Sequence, residues 1–346
     1  MAAEATFDPE VRLTGGWASR VPDERDIAVL AELRAAVTRR ATGLGAVDVA
    51  PVLSEVTEAG SWTRRQRVAL DPSGRVRAWA SAHDRAAGRA LVQLTVDPAL
   101  DDGDADAVAA ALLTWVEEVS HGILAVRHLD VTQLDAGAYA DDPRQSRWLA
   151  AAGYVLARRW LQMRRPVTAR DLEPGALPAP RPGVSVRRVE RRANGLPVAR
   201  DVQLAHRVLE ESFADHFNSY RESFPEFVHR LMENPGHTWD HWWLAFVEVD
   251  GAQLPGGALV STVLPPDADG VAGSYVDYLG VHRRARGRGV AKTLLGTVIA
   301  DTAARGRHRL GLEVDADSPT HADGLYRALG WDTAYVTQSW HRDLRR

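Results

Sequence analysis

The stretch DLEPGALPAPRPG, residues 171–183, constrains this chain more than any other. Pro174, Pro178, Pro180 and Pro182, with two glycines, deny the backbone a continuous helix or a central strand. A linker here splits the 346 residues into pieces of about 170 and 163, each an ordinary domain size. The expected organisation is therefore a domain over 1–170, a linker over 171–183 and a domain over 184–346. With 45% hydrophobic and 25% charged residues, the chain has the composition of a globular protein rather than a mostly disordered one. No run approaches the ~18 consecutive apolar residues of a membrane span. The opening residues carry Glu4, Asp8 and Glu10 and no apolar core, so they do not read as a secretory signal. The expectation is a cytoplasmic protein, monomeric or homodimeric, with no membrane partner. A net charge of −4 gives no basic field for nucleic acid. The absence of cysteine excludes disulfides, thiolate metal sites and a cysteine nucleophile.

The two pieces read alike. Each opens with a helical pattern, Glu24–Thr42 and Ala199–Glu211. Strand patterns follow at Arg75–His83 and Ala90–Val96 in the first piece, and at Trp242–Val249, Ala258–Val263 and Ser274–Val281 in the second. An amphipathic helix comes next, Asp106–Val119 or Val290–Arg305. After a further strand, each ends in a short helix closed by glycine and an aromatic, WLAAAGY (148–154) and LYRALGW (325–331), and then a last strand. This order predicts a tandem duplication of one α/β unit (α+β, with a mixed sheet).

The chemistry concentrates in SYVDYLGVHRRARGRGVAKTLLGTVIADTAARG, residues 274–306. A strand runs into a basic, glycine-bearing turn and then a helix with Ala291, Leu294, Leu295, Val298 and Ile299 on one face. Backbone N–H groups converging at a helix start suit an anion, and the helix dipole favours it. Gly287 and Gly289 permit close approach, while Arg283, Arg284, Arg286 and Arg288 supply charged donors. The turn is neither a Walker loop nor a dinucleotide fingerprint.

The run Arg284-Ala285-Arg286-Gly287-Arg288-Gly289 resembles the coenzyme A pyrophosphate loop of the GNAT superfamily of N-acetyltransferases, Arg/Gln-x-x-Gly-x-Gly/Ala. Leu279-Gly280-Val281 before it and Val290-Ala291 after it fit the same pattern. LGLEVDADSPTHADGLYRALGW, residues 310–331, is similar to the next block of that family. The resemblance implies two tandem GNAT-like domains, each a mostly antiparallel mixed sheet flanked by helices, the first one degenerate and the second catalytic. It implies acetyl-CoA as cosubstrate, a primary amine of a small molecule as acceptor, direct transfer and no metal. It implies that the backbone of Leu279, Gly280 and Val281 holds the pantetheine arm, and that the loop through Gly289 and Val290 binds pyrophosphate. Ser318 stands where many members carry a coenzyme-contacting Asn. Tyr326 aligns with the tyrosine that protonates the departing thiolate, and Asp277 or Glu313 would be the general base. Phe213, Asp215, His216 and Phe217 form a candidate acceptor wall. The tandem plan also resembles mycothiol synthases, one alternative; a non-catalytic acyl-CoA-binding regulator is another.

The first piece keeps the plan without the loop. Its turn, DPALDDGDADAV, carries five aspartates between Asp97 and Asp106 and no arginine, so pyrophosphate would meet like charge there.

Overall fold

A computed structural model describes residues 9–85, 88–214, 222–318 and 322–346. The chain forms two compact units, one of residues up to Trp160 together with Tyr335–Arg346, the other Leu161–Ala334. The first unit runs β1 (Ala18–Arg20), α1 (Ile27–Thr42), α2 (Val49–Thr57), β2 (Arg64–Leu70), β3 (Val76–Arg85), β4 (Arg89–Val96), α3 (Asp102–Val126), β5 (Val131–Tyr139), α4 (Pro143–Ala151) and the start of β6 (Val155–Pro166). The second takes the end of β6, then β7 (Val184–Arg188), α5 (Ala199–Phe213), α6 (Phe224–Met232), β8 (His237–Val249), β9 (Ala252–Leu264), β10 (Gly273–Val281), α7 (Val290–Ala304), β11 (Arg309–Asp315), α8 (Ala322–Arg327) and the start of β12 (Asp332–Arg345).

The element order is the same in both, and so is the sheet plan: β1-β2-β3-β4-β5-β12 in the first and β6-β11-β10-β9-β8-β7 in the second. Each sheet has a parallel pair, β4 with β5 and β10 with β11, because α3 and α7 are crossover helices. Hairpin-connected strands beside them pair antiparallel.

These units are cut differently from the 1–170 and 184–346 division read from the sequence. The chain passes from one unit to the other inside β6 and returns inside β12. Residues Thr337 to Arg345 pair antiparallel with β5, and Leu344 is buried in the first unit's core. Alternation along a strand fixes which face is buried but not which strand lies alongside, so the sequence pattern carried no sign of this. The 171–183 segment lies within the second unit, where Leu177 packs on the core beneath α7.

In the first unit α3 buries Leu112, Trp115, Val116 and Val119 against the sheet. By length and composition α3 could cross a membrane, but it is the core helix here. Leu30, Val52, Val68 and Trp79 form a second cluster. In the second unit α7 sets Leu294, Leu295, Val298 and Ile299 against Leu259, Val276 and Leu312. On the opposite face α5 and α6 set Val202, Leu209 and Phe227 against Trp242, Leu244 and Val260. Adjacent Trp242 and Trp243 enter opposite cores, as strand alternation requires.

Candidate active site in the second unit

The site begins where β10 leaves β11. Their parallel pairing runs Ser274↔Leu310, Tyr275↔Gly311 and Val276↔Leu312, and stops. On its other side β10 stays paired with β9 as far as Val281↔Gly257. The backbone edge from Asp277 to Val281 therefore faces an opening between two strands. A register shift between Val276 and Tyr278 marks a bulge at Asp277. One extra residue reverses the parity of the strand. Val276 and Leu279 both face the core under α7, whereas Tyr278 joins the α5/α6 face.

Asp277 sits at the mouth of this opening. The Thr262 hydroxyl donates to its Oδ1 at 3.4 Å, while its Oδ2 is sealed from solvent and finds no protein donor. Burial pushes the carboxyl up to about 7, against a smaller opposing pull from nearby Arg230. Arg230 on α6 is held by Glu222 at 2.8 and 2.6 Å, and its remaining nitrogen donates to the Tyr278 hydroxyl. Glu313, the other proposed base, is solvent-exposed, and its Oε2 accepts from Gln162 Nε2 at 3.0 Å.

Past β10, His282 caps a short 3-10 turn, and its Nδ1 accepts from the Arg284 backbone N–H at 3.2 Å and from Arg284 Nε at 2.8 Å. Its Nε2 lies 2.8 Å from Glu211 Oε2 on α5, which fixes the ring with the proton on Nε2. Gly287 and Gly289 have φ of 77° and 85°, conformations that exclude most side chains. Gly289 is the N-cap of α7 and offers no side-chain cap. Among the described residues, no protein acceptor serves the backbone N–H of Gly287, Gly289, Val290, Ala291 or Lys292. Such a cluster at the positive end of a helix dipole is an anion cradle. Ala285 and Val290 are buried and anchor the turn in the core, so they contribute backbone only. Arg288 donates to the Glu248 carbonyl at 2.9 Å. Arg181, from the segment expected to be a linker, donates to the Gly287 carbonyl at 2.9 Å and leans over Gly289.

Gly280 has a further role that its sequence context hides. A Cβ there would lie 2.9 Å from Leu209 Cδ2 and 3.1 Å from Ser212 Cβ, so its bare backbone lets α5 pack on β10.

Tyr326 lies on α8 in the core beneath α7, its ring edge-on to Trp331 at 6.1 Å. Burial raises its phenol to about 12. Among the described residues its hydroxyl has no hydrogen-bond partner, and none joins it to Asp277. Ser318 is buried, its N–H donating to the Asp315 carbonyl at 3.3 Å. Phe213 ends α5 and packs on the α5/α6 core. Asp215, His216 and Phe217 lie outside the described residues. Sequence reading missed Arg181, Glu211, Thr262, Gln162 and the Arg230–Glu222 pair. Each meets the site through contacts between distant segments and carries no local motif.

The corresponding places in the first unit are filled differently. Asp101 caps α3 by accepting from the Asp104 N–H at 3.0 Å, and so occupies the helix start that Gly289 leaves open. The pairing of β3 with β4 runs without a bulge. Leu149 takes the place of Tyr326 when the two Gly-aromatic endings are aligned, and it is buried in the core. Elsewhere in the second unit, Asp267, Asp269 and His308 come within 4.8 Å of one another. His308 Nε2 and Arg309 Nη1 already lie 2.6 and 3.2 Å from Asp267 Oδ2 there.

Residues 206–331 match the model of the acetyltransferase (GNAT) family. The whole chain has the tandem GNAT fold. It superimposes on a GCN5-related N-acetyltransferase from Sphaerobacter thermophilus with a TM-score of 0.72 and 21% identity, covering 97% of this chain and 98% of that one. A tandem GNAT protein from the clavulanic acid biosynthesis pathway gives a TM-score of 0.61 and 15% identity, covering 94% of this chain and 98% of that one. A glucosamine N-acetyltransferase region in a fungal multi-domain β-N-acetylglucosaminidase gives 0.65 and 11%, covering 95% of this chain but 38% of that one. At these identities the likeness is one of fold. No curated protein matches the sequence.

Proposed function

We propose that the second unit is an acetyl-CoA-dependent N-acetyltransferase that passes acetyl directly to a primary amine of a small molecule. The observation that carries this reading is the place of Asp277, whose Oδ2 is sealed from solvent, at the first unpaired step of the strand that leads into an anion cradle. The free N–H groups of Gly287, Gly289, Val290, Ala291 and Lys292, with Arg284 and Arg286 beside them, fit a pyrophosphate. The open edge from Asp277 to Val281 fits an extended amide-bearing arm, which would pair with it as an added strand.

Bound there, acetyl-CoA supplies an activated thioester. A β10 N–H near Leu279 polarises its carbonyl. Asp277, ionised for about half the time near pH 7, takes a proton from the acceptor nitrogen. Tyr326 gives its proton to the sulfur as the carbon–sulfur bond breaks, and its high pKa keeps that proton in place until the thiolate forms. With Asp101 at its helix start, the first unit is left a supporting role.

Thiol release from acetyl-CoA across a panel of amines tests the reading, and the panel should include the cysteinyl amine of a glucosaminyl-inositol, the acceptor of mycothiol-synthase-like enzymes. Saturable CoA binding with no turnover of any amine would replace it with the acyl-CoA-binding regulator.

A further inference from the structure

Glu313 occupies a more specific position than a surface carboxylate on a strand. The last paired step of the splayed strands is Val276↔Leu312, so Asp277 and Glu313 are the next step, facing one another across the opening. Both side chains lie on one face of the sheet. Thr262 and Tyr275 pair on β9 and β10, Tyr275 lies over Gly311 on β11, and Asp277 and Glu313 follow in that row. Glu313 is close enough to add to the electrostatic cost of ionising Asp277. Its carboxylate is oriented from β6: Gln162 Nε2 donates to Oε2, and the Tyr275 hydroxyl lies 3.5 Å from the oxygen of the same amide. Among the described residues the other oxygen, Oε1, has no partner. Arg230, the cation acting on Asp277, is committed to Glu222 and Tyr278.

We infer that Glu313 captures the acceptor as its ammonium ion, and that the site thereby selects strongly basic alkylamines over weakly basic arylamines. The inference rests on the N-acetyltransferase reading above. Glu313 is then a specificity determinant and not the base. Its exposed carboxylate suits it to pairing with a cation, whereas the desolvated Asp277 is suited to accepting a proton. An alkylammonium donates one N–H to Glu313 Oε1 and loses another proton to Asp277, which returns it to solvent. The freed lone pair forms the nitrogen–carbon bond as the carbon–sulfur bond breaks. The nitrogen sheds its second proton to solvent, and Tyr326, having protonated the thiolate, is reprotonated in turn.

Matched alkyl- and arylamines, such as benzylamine and aniline, test this with Glu313→Gln, a change at an exposed position that keeps an acceptor for Gln162. The expected result is a KM about tenfold higher for the alkylamine, with kcat little changed and no change in KM for the arylamine. An equal KM rise for both amines, or a kcat loss as large as that of Asp277→Asn, overturns it. N,N-Dimethylbenzylamine, a cation at neutral pH that keeps one N–H for Glu313 but cannot form a stable amide, gives a second readout by equilibrium binding monitored by NMR. Binding about tenfold weaker in the variant supports the inference even if no amine is turned over, in which case only the enzyme reading fails. Equal binding to both proteins, or none to the wild type, overturns it.

Discussion

Asp101 and Gly289 hold the same place in the two units, the N-cap of the crossover helix, and only Asp101 closes it with a side chain. In the first unit a carboxylate satisfies the helix start from within. In the second, no side chain caps the same dipole, and a set of N–H groups is left without a protein acceptor among the described residues. One duplicated plan has thus become a self-capped helix in one copy and an anion cradle in the other.

That contrast predicts where CoA binds. Arg284→Ala and Arg286→Ala should each weaken CoA binding about tenfold by calorimetry, the usual scale for losing a charge-assisted contact. Asp101→Asn should leave affinity unchanged. Raising salt should weaken binding to the wild type more than to the double arginine variant.

Asp277 should set the pH dependence. A base must be ionised to act, so kcat/KM should rise with pH through about 7 and level off above it. Asp277→Asn should lower kcat by roughly 10²–10⁴-fold and abolish that rise. The same group makes a stability prediction. Its folded pKa lies above its ordinary value of 3.8, so it costs nothing well below that value, where both states are protonated. The penalty grows between pH 4 and 7 and is complete above that. Asp277→Asn should therefore melt several degrees higher than the wild type at pH 8, with the difference shrinking toward zero as the pH falls below 3.8.

Tyr326→Phe separates the hydroxyl from the ring. The ring packs against Trp331 and the hydroxyl has no hydrogen-bond partner among the described residues, so melting temperature and CoA affinity should hold. Only kcat should fall, by roughly 10²-fold. A variant with full kcat would remove Tyr326 from the mechanism.

Gly280→Ala probes packing. The added methyl would press on Leu209 and Ser212, at 2.9 and 3.1 Å, and overpacking of this kind costs about 1–3 kcal/mol. Chemical denaturation should show a lower midpoint, and CoA affinity should drop as α5 is pushed off β10.

Much of this was legible in the sequence because it depends on local order. Helix and strand periods gave the duplicated plan, and α7 begins at Val290 as its pattern required. The glycines of 284–289 announced a turn of positive φ, which Gly287 and Gly289 adopt, since that freedom is a property of the chain itself. The five aspartates of the other turn announced its opposite.

What the sequence could not determine depends on which distant segments meet. Asp277 and Glu313 were both candidates as residues on strands, with Asp277 the preferred one. The bulge, the splay and the burial of Oδ2 distinguish them, because desolvation is a property of the surroundings and not of the residue. The proline-rich segment looked like a spacer, yet it brings Arg181 onto the loop, since prolines forbid regular structure without forbidding packing. The last strand reads as the end of the second half. Only tertiary structure gives Thr337–Arg345 to β5 of the first unit, because a strand's pattern encodes its buried face and leaves its neighbour to the fold.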